Sequence, residues 1–213
     1  MTTTITRLFD DRTAAMEAVR KLEAAGLQSS DISIVSSNAD NWYSGKGTAD
    51  RMPGGRVDRD RDGVDDRAEA AGTGAGVGAT LGGAAGLLAG LGILAIPGLG
   101  PVVAAGWLAS TALGLAAGAA AGGLIGALTQ LGVPEEEAHA YAEGVRRGGT
   151  LVTARIPDND RLRYEQLLDS SSVNIADRTA AYRKAGWNKF DPGAQPYTAD
   201  QIKKERELYG TRR

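Results

Sequence analysis

The chain contains no cysteine, a single histidine and few aromatic residues, which make up only 5% of it. Without cysteine, disulfides, thiolate nucleophiles and cysteine-ligated metal sites are all excluded. One histidine, His139, excludes a histidine cluster, and no acid–nucleophile relay is evident around it for a Ser or Thr nucleophile. The glycine-rich runs lack the Lys-Ser/Thr of a phosphate-binding loop. We therefore expect no enzyme activity and no small-molecule substrate.

Charge is also missing from the middle of the chain. No charged side chain lies between Glu69 and Glu135, although the protein as a whole carries a formal net charge of −2. This balance gives no reason to expect bulk attraction to nucleic acid. The first residues contain no apolar run of the secretory kind and reach acid at Asp10. A cytoplasmic start is the expectation.

Residues 70–134, the uncharged segment, are built almost entirely from small and aliphatic residues. Their glycines recur at every fourth position in two runs, Gly74, Gly78, Gly82, Gly86, Gly90 and Gly114, Gly118, Gly122, Gly126. On a helix, positions four apart share a face, so each run predicts a stripe where helix backbones can approach closely. Residues 97–101 read as a turn between the two runs. The segment predicts a glycine-zipper apolar helical hairpin.

The part of the chain before this segment predicts a βαβ unit. Residues 2–9 are β-branched and end at Asp10 and Asp11, a good pair of helix N-caps. A helix that stops at Gly26 and a strand at residues 31–36 would follow.

The part after it repeats the pattern. Residues 135–148 predict a helix that begins after Pro134, with acid in its first turn. A strand at residues 150–156, a helix capped by Asp158 and a strand at residues 173–176 follow. Two such halves predict an α+β ferredoxin-like sandwich into which the hairpin is inserted.

The predicted organisation has five parts. Residues 1–36 and 135–177 are the two halves of the α+β domain, residues 37–69 are a flexible linker with an acidic loop, residues 70–134 are the hairpin, and residues 178–213 are a tail.

The tail holds nine Lys or Arg residues against four acids and is interleaved with aromatic residues. Thr198 and Gln201 make a capping box for a short helix through Leu208. Such a composition occurs at nucleic-acid or anionic-lipid contacts, but a tail of this kind more often packs on a neighbouring subunit or stays partly disordered.

The acidic loop has the spacing of a calcium site. Residues 58–69 match D-x-[DN]-x-[DN]-G-x5-E, in which carboxylates, one backbone carbonyl and a bidentate glutamate surround the ion. The ligands would be Asp58, Asp60, Asp62, Val64 through its carbonyl, and Glu69. The loop lacks an evident preceding helix, and a solvated linker neutralised by its own arginines is the alternative. Calcium is the only cofactor that the sequence suggests.

The uncharged segment leaves two possibilities for what surrounds it. Residues 70–96 and 102–133 each exceed the length of roughly 20 apolar residues that a spanning helix needs. A hairpin that crosses the membrane fully usually carries polar residues in its turn, on the far side of the bilayer, and this turn carries none. Trp107 is the only nearby interfacial anchor, so a hairpin that dips into one leaflet is expected. Alternatively, the helices are buried in a soluble oligomer. Self-association is predicted in both cases.

Three stretches of the chain resemble the bacterial heat-induced general stress proteins. They are residues 8–35, the glycine-rich hairpin with residues 96–101, and residues 132–153. The resemblance implies a bacterial, non-catalytic, stress-associated protein that is cytoplasmic or lies at the cytoplasmic face of the inner membrane, and it supplies no functional residues. The resulting hypothesis is a protein that self-assembles through its hairpin and contacts membrane lipid. The alternatives are a soluble homo-oligomeric scaffold that recruits a partner through its tail, and a calcium-responsive binding module.

Overall fold

One antiparallel sheet organises the protein. The computed structural model describes residues 2–43, 92–96, 98–108 and 123–210. The sheet has five strands in the order β1-β5-β2-β4-β3. The strands are β1 Thr2–Phe9, β2 Ile32–Ser37, β3 Gly92–Ile96, β4 Gly100–Ala105 and β5 Thr150–Pro157. The fold class is α+β, as the sequence predicts.

Six α-helices accompany the sheet in the part of the chain that the structure describes. They are α1 Arg12–Ala24, α2 Gly123–Gln130, α3 Glu135–Arg146, α4 Arg161–Asp169, α5 Ile175–Lys184 and α6 Ala199–Gly210. The predicted start of α1 is confirmed, because the Asp11 carboxylate accepts a hydrogen bond from the Ala14 N–H at 2.8 Å. The helix ends before Gly26, whose φ of 101° continues the chain in the left-handed region.

The first face of the sheet is covered by α1 and α4. The apolar side of α1, with Ala15, Val19 and Leu22, packs on β-strand residues such as Phe9 and Ile156, and all five side chains have no exposed surface. Such apolar contact, worth about 25 cal/mol per Å² buried, is the main term that holds the helix on the sheet.

The second face is covered by α2 and α3, and α3 is buried on all its sides. Every residue from 138 to 145 is buried. Small residues permit this: a Cβ on Gly144 would lie 2.4 Å from the Leu8 side chain. Tyr141 adds a polar anchor, since its hydroxyl donates to the Thr6 carbonyl at 3.1 Å. The helix is thus a central element of the domain.

The uncharged segment contains strands where the sequence predicts helices. β3 and β4 form a hairpin in which Gly92 pairs with Ala104 and Ile96 with Gly100. The prediction of a helical hairpin is therefore wrong for residues 92–96 and 102–105. β-Branched Val102 and Val103 extend the sheet beyond β2, and both are buried, with at most 1% exposed. Buried β-branched residues of this kind favour a strand over a helix.

The turn of this hairpin lies inside the protein. Leu99 is 1% exposed and belongs to the same apolar cluster as Phe190. Trp107, predicted as a membrane anchor, instead packs on the domain, with the Arg155 guanidinium 3.7 Å from its ring centroid. The turn is therefore not the free tip of a hairpin that dips into lipid.

Two further local predictions are wrong. Residues 173–176 do not form a strand, because α5 begins at Ile175 and Asn174 caps it through hydrogen bonds from two backbone N–H groups. Only Val173 contacts the sheet edge, by donating its N–H to the Leu8 carbonyl at 2.7 Å. Asp158 does not cap α4 either, since it lies in a 3₁₀ turn and accepts a hydrogen bond from the Thr3 hydroxyl.

The predicted tail is a folded part of the domain. Tyr182, Trp187, Phe190 and Ile202 are buried, with between 1% and 8% of their surface exposed. They pack against the outer side of α3 and the β3–β4 turn, so the C-terminal helices form a further layer. The capping box at the start of α6 is confirmed.

In that box the Thr198 N–H donates to the Gln201 side chain at 2.9 Å. The Gln201 N–H donates in return to the Thr198 hydroxyl at 3.3 Å. These two hydrogen bonds satisfy backbone N–H groups that the start of a helix would otherwise leave without a partner.

Replacement of Gly98 by alanine tests the docking of the C-terminal layer. Gly98 has a φ of 74°, and a Cβ there would lie 2.7 Å from Pro192 Cα. Gly26 has a similar left-handed φ but no heavy atom within 4 Å of its Cβ position, so Gly26→Ala is the matched control. We expect the control to lower the free energy of unfolding by about 1–2 kcal/mol and Gly98→Ala by about 3 kcal/mol or more. Urea unfolding measures both, and equal losses would contradict the packing.

Candidate functional site

Most residues of the two predicted sites lie outside the described part of the chain. This applies to the calcium ligands Asp58, Asp60, Asp62, Val64 and Glu69, and to every glycine of the two runs except Gly126. Both sites therefore stay predictions. Among the described residues, no group of three or more His, Asp or Glu side chains could hold a metal ion.

Gly126 lies in α2, on the side that faces away from the core. The buried residues of this helix are Leu124, Ala127 and Leu128. At 100° per residue, Gly126 is on the opposite side from them. It is half-buried.

The buried His139 pairs with the exposed Glu135 one turn earlier in α3, as the spacing of four residues allows. The Nε2 and carboxylate atoms are 3.5 Å apart. Burial lowers the pKa of His139, and the charge of Lys189 lowers it further, while Glu135 acts in the opposite direction.

A network of buried charges joins α3 to the C-terminal layer. Glu143 has no exposed surface. One of its oxygens accepts hydrogen bonds from Arg146 Nη2 at 2.9 Å and from Arg147 Nε at 2.6 Å. Arg147 also donates to Glu205 of α6 at 3.1 Å. Burial disfavours the charged Arg147, but these two carboxylates outweigh it, so the pKa of Arg147 is raised.

Further pairs extend this network to the rest of the domain. Arg178 of α5 pairs with Asp10 at 2.7 Å, and Arg206 of α6 pairs with Asp40 at 3.1 Å. Arg147 also lies 4.3 Å from the ring centroid of Tyr182, a cation–π contact.

The cavity among these charges has a volume of about 10 Å³. That is roughly the space of one water molecule. The network therefore fastens the C-terminal helices and leaves no room for a ligand.

A larger cavity lies between α1 and the β2–β4 part of the sheet. Its volume is about 180 Å³. We call it the Trp42 pocket, and it is lined by Arg12, Met16, Arg20, Ile34, Trp42 and Val103 together with Ser36. Its walls are mostly apolar, and its two cationic side chains both come from α1. It has space for a small molecule.

The sequence analysis missed this pocket because it assigned residues 37–69, which include Trp42, to a flexible linker. Residues 38–43 instead form a hydrogen-bonded turn. Asn38 is its centre: its side-chain oxygen accepts from the Tyr43 N–H at 3.0 Å, and its amide donates to the Tyr43 carbonyl at 2.9 Å. The signal that could have indicated the turn is Asn38 and Asn41, which favour turns, beside two aromatic residues.

The chain has no detectable counterpart in the comparisons with known proteins. No family model, no curated protein and no solved structure matches it.

Glu143→Gln tests whether the charge network holds the C-terminal layer. The variant keeps the size of the side chain but leaves two arginines beside a neutral amide in a buried site. We expect a loss of about 3 kcal/mol in the free energy of unfolding, as for other broken buried ion pairs. The control is Glu165→Gln, which breaks a pair with the exposed Arg161 and should cost about 0.5 kcal/mol or less. Chemical denaturation measures both. Equal effects would show that the network does not stabilise the fold.

Tyr182 makes the free energy of unfolding depend on pH in the alkaline range. Burial raises the pKa of Tyr182 from its ordinary value of 10.0 to about 12, and Arg178 offsets only part of this. The folded state therefore keeps a proton that the unfolded state loses. The resulting stability is present below about pH 10 and is lost as the pH rises towards 12. In Tyr182→Phe, we expect the unfolding free energy to fall less steeply over this range. An unchanged slope in denaturation curves between these pH values would contradict the assignment.

Proposed function

We propose that this is a non-enzymatic, bacterial stress-associated protein that self-assembles through the glycine runs of its uncharged segment. The proposal places the assembly at the cytoplasmic face of the inner membrane. Its association with stress rests on the resemblance of residues 8–35, 96–101 and 132–153 to the heat-induced general stress proteins. Its mechanism of assembly rests on the following features of the fold.

The β3–β4 hairpin supports the proposal most directly. The first glycine run ends at Gly90, just before β3, and the second begins at Gly114, after β4. Because Gly92 pairs with Ala104, the chain enters and leaves the hairpin at the same end. In the sequence, Leu91 separates the first run from β3, and residues 106–113 separate β4 from the second run. A short β-hairpin thus lies between the two runs, where the sequence predicts a turn between helices, and this supports the proposal that the runs meet.

The position of Gly126 gives a second line of support. Its place on the outer side of α2 would continue a glycine stripe away from the core, where a second helix could approach. Since small residues let helix backbones pack closely, the stripe is suited to contact between copies of the chain.

The head that carries these runs is proposed to be a ferredoxin-like unit with additions. The order β1-β5-β2, with α1 and α4 on one face, is what that arrangement requires. Val173, which donates to β1, occupies the place of its fourth strand. The β3–β4 hairpin and the C-terminal layer are the additions.

The membrane part of the proposal is supported by the sequence alone. No helix in the described residues is long and apolar enough to cross a bilayer. The support is the uncharged segment, whose length and composition suit a lipid contact.

The packing of the C-terminal layer bears on the alternative of a scaffold that recruits a partner through its tail. Tyr182, Trp187 and Phe190 are buried, and Arg178 and Arg206 are paired within the domain. These side chains are therefore not free for stacking on nucleic acid or for binding lipid headgroups. We favour assembly through the glycine runs for this reason.

Replacement of one stripe glycine by leucine tests the proposal. Gly86→Leu and Gly118→Leu each place a bulky side chain in a predicted helix contact, and we expect the oligomer to dissociate or shrink. Gly83→Leu is the matched control, because it makes the same change in the same run but lies off the fourfold period. Analytical ultracentrifugation of the full-length protein, with and without detergent, measures the particle mass.

An unchanged mass for both stripe variants would contradict the proposal. Fractionation of expressing cells with a carbonate wash separates its two parts. Retention of the wild-type protein in the washed pellet supports the membrane location, whereas a large species in the supernatant supports assembly without lipid.

A further inference from the structure

We propose that the Trp42 pocket binds a small aromatic carboxylate, with the ring among the apolar side chains and the carboxylate at the arginines of α1. This function is independent of the proposed assembly, and it departs from the sequence-based expectation that no small molecule is bound.

The walls of the pocket are apolar and belong to rigid elements. Ile34 of β2 and Val103 of β4 lie on the sheet and are 3% and 1% exposed. Met16 of α1 faces them and is half-buried. Because β2 and β4 are hydrogen-bonded neighbours, the sheet side of the cavity is held in place by backbone hydrogen bonds. The cavity is therefore preformed, as small-molecule sites usually are.

The aromatic wall is fixed by the turn at residues 38–43. Trp42 donates its indole N–H to the Ser37 carbonyl at 2.8 Å, which orients the ring. The turn is tied to β4 by a hydrogen bond from the Asn38 N–H to the Pro101 carbonyl at 2.8 Å. A fixed indole offers a flat apolar surface at little entropic cost on binding.

The two arginines give the pocket its preference for an anion. Arg12, Met16 and Arg20 are spaced four residues apart, so they share one face of α1, and all three side chains line the cavity. Arg12 lies 3.9 Å from the Trp42 ring centroid. The nearby carboxylate of Asp40 is engaged by Arg206 at 3.1 Å. Arg20 is exposed and has no ion pair within the described part of the chain.

Several features of Arg12 agree with a partly desolvated cation. Burial lowers the pKa of Arg12, and the charge of Arg206 lowers it further, while Asp40 and Asp11 act in the opposite direction. Asp40 is paired with Arg206, so a carboxylate bound beside Arg12 would give this guanidinium a charge-assisted hydrogen bond of its own.

The size of the cavity limits the ligand to one ring. A cavity of roughly 150 Å³ accommodates a benzene-sized molecule. The Trp42 pocket, at about 180 Å³, has room for one aromatic ring. The charged substituent then lies at the arginines. A mononuclear aromatic carboxylate fits both the volume and the charge.

Benzoate is the probe that tests this inference, with benzamide and benzylamine as neutral and cationic molecules of nearly the same shape. Full-length protein labelled with ¹⁵N in its three tryptophans reports the location, because only the Trp42 indole signal belongs to the pocket. That signal is assigned through Trp42→Phe. We expect benzoate at millimolar concentration to shift the Trp42 signal, and benzamide and benzylamine to bind at least about fivefold more weakly.

Variants decide whether the arginine contact carries the binding. Arg20→Gln removes an exposed charge, so the protein should fold normally, and we expect benzoate binding to weaken by about fivefold to tenfold. Arg163→Gln, which removes an exposed arginine of α4 outside the pocket, should leave it unchanged.

Three results would overturn the inference. They are the absence of a shift at Trp42 with benzoate, equal binding of benzoate and benzamide, and equal binding by Arg20→Gln and wild type. Thermal unfolding of both arginine variants serves to verify that they are folded. Because the assay needs no oligomer measurement, its result is separate from that of the glycine variants.

Discussion

The pairing of β5 with both β1 and β2 is the interaction on which the rest of the structure depends. β5 follows β2 by more than a hundred residues, yet it lies between the first two strands and is antiparallel to each. Thr153 illustrates its central place, since it is opposite Thr6 on one side and Ser33 on the other. The entropic cost of closing a loop rises only slowly with the length of the loop. A large insertion between β2 and β5 is therefore compatible with the fold once the central strand is paired.

The burial of α3 is the second constraint, and it explains why the C-terminal helices belong to the domain. One side of this helix packs on the sheet, and its other side carries Ala140 and the acidic Glu143. A buried carboxylate is tolerated only with partners, which Arg146 at the end of this helix and Arg147 directly after it supply. The C-terminal layer then excludes water from this side and adds Glu205. The basic and aromatic residues that read as a tail are thus used to complete the core.

Glycine has two separate roles in the chain. In the turn after β3 and directly after β4, glycine lets the backbone lie close to neighbouring atoms. A Cβ on Gly106 would lie 2.3 Å from the Ile32 carbonyl oxygen. In the two runs of the uncharged segment its period of four suits contact between helices. The β3–β4 hairpin brings the two roles together. Its glycine-containing turn is buried against residues 190–196, and its other end, where Gly92 pairs with Ala104, continues into the two glycine runs. The Trp42 pocket lies next to the same strands, on the opposite face of the sheet from α3.

The sequence by itself determined the elements whose signals are local. Asp11 as a cap, the stop at Gly26, the helix after Pro134 and the capping box at Thr198 all follow from short-range hydrogen bonding and backbone preference, and each is present. The tertiary structure decided the rest. Residues 92–105 are apolar and glycine-rich, so their pattern fits a helix as well as a strand, and only the free edge of β2 selects the strand. Likewise, the burial of Trp187 and the pocket beside Trp42 depend on residues distant in the chain. Non-local pairing and packing determine these features, and a pattern read along one sequence does not contain them.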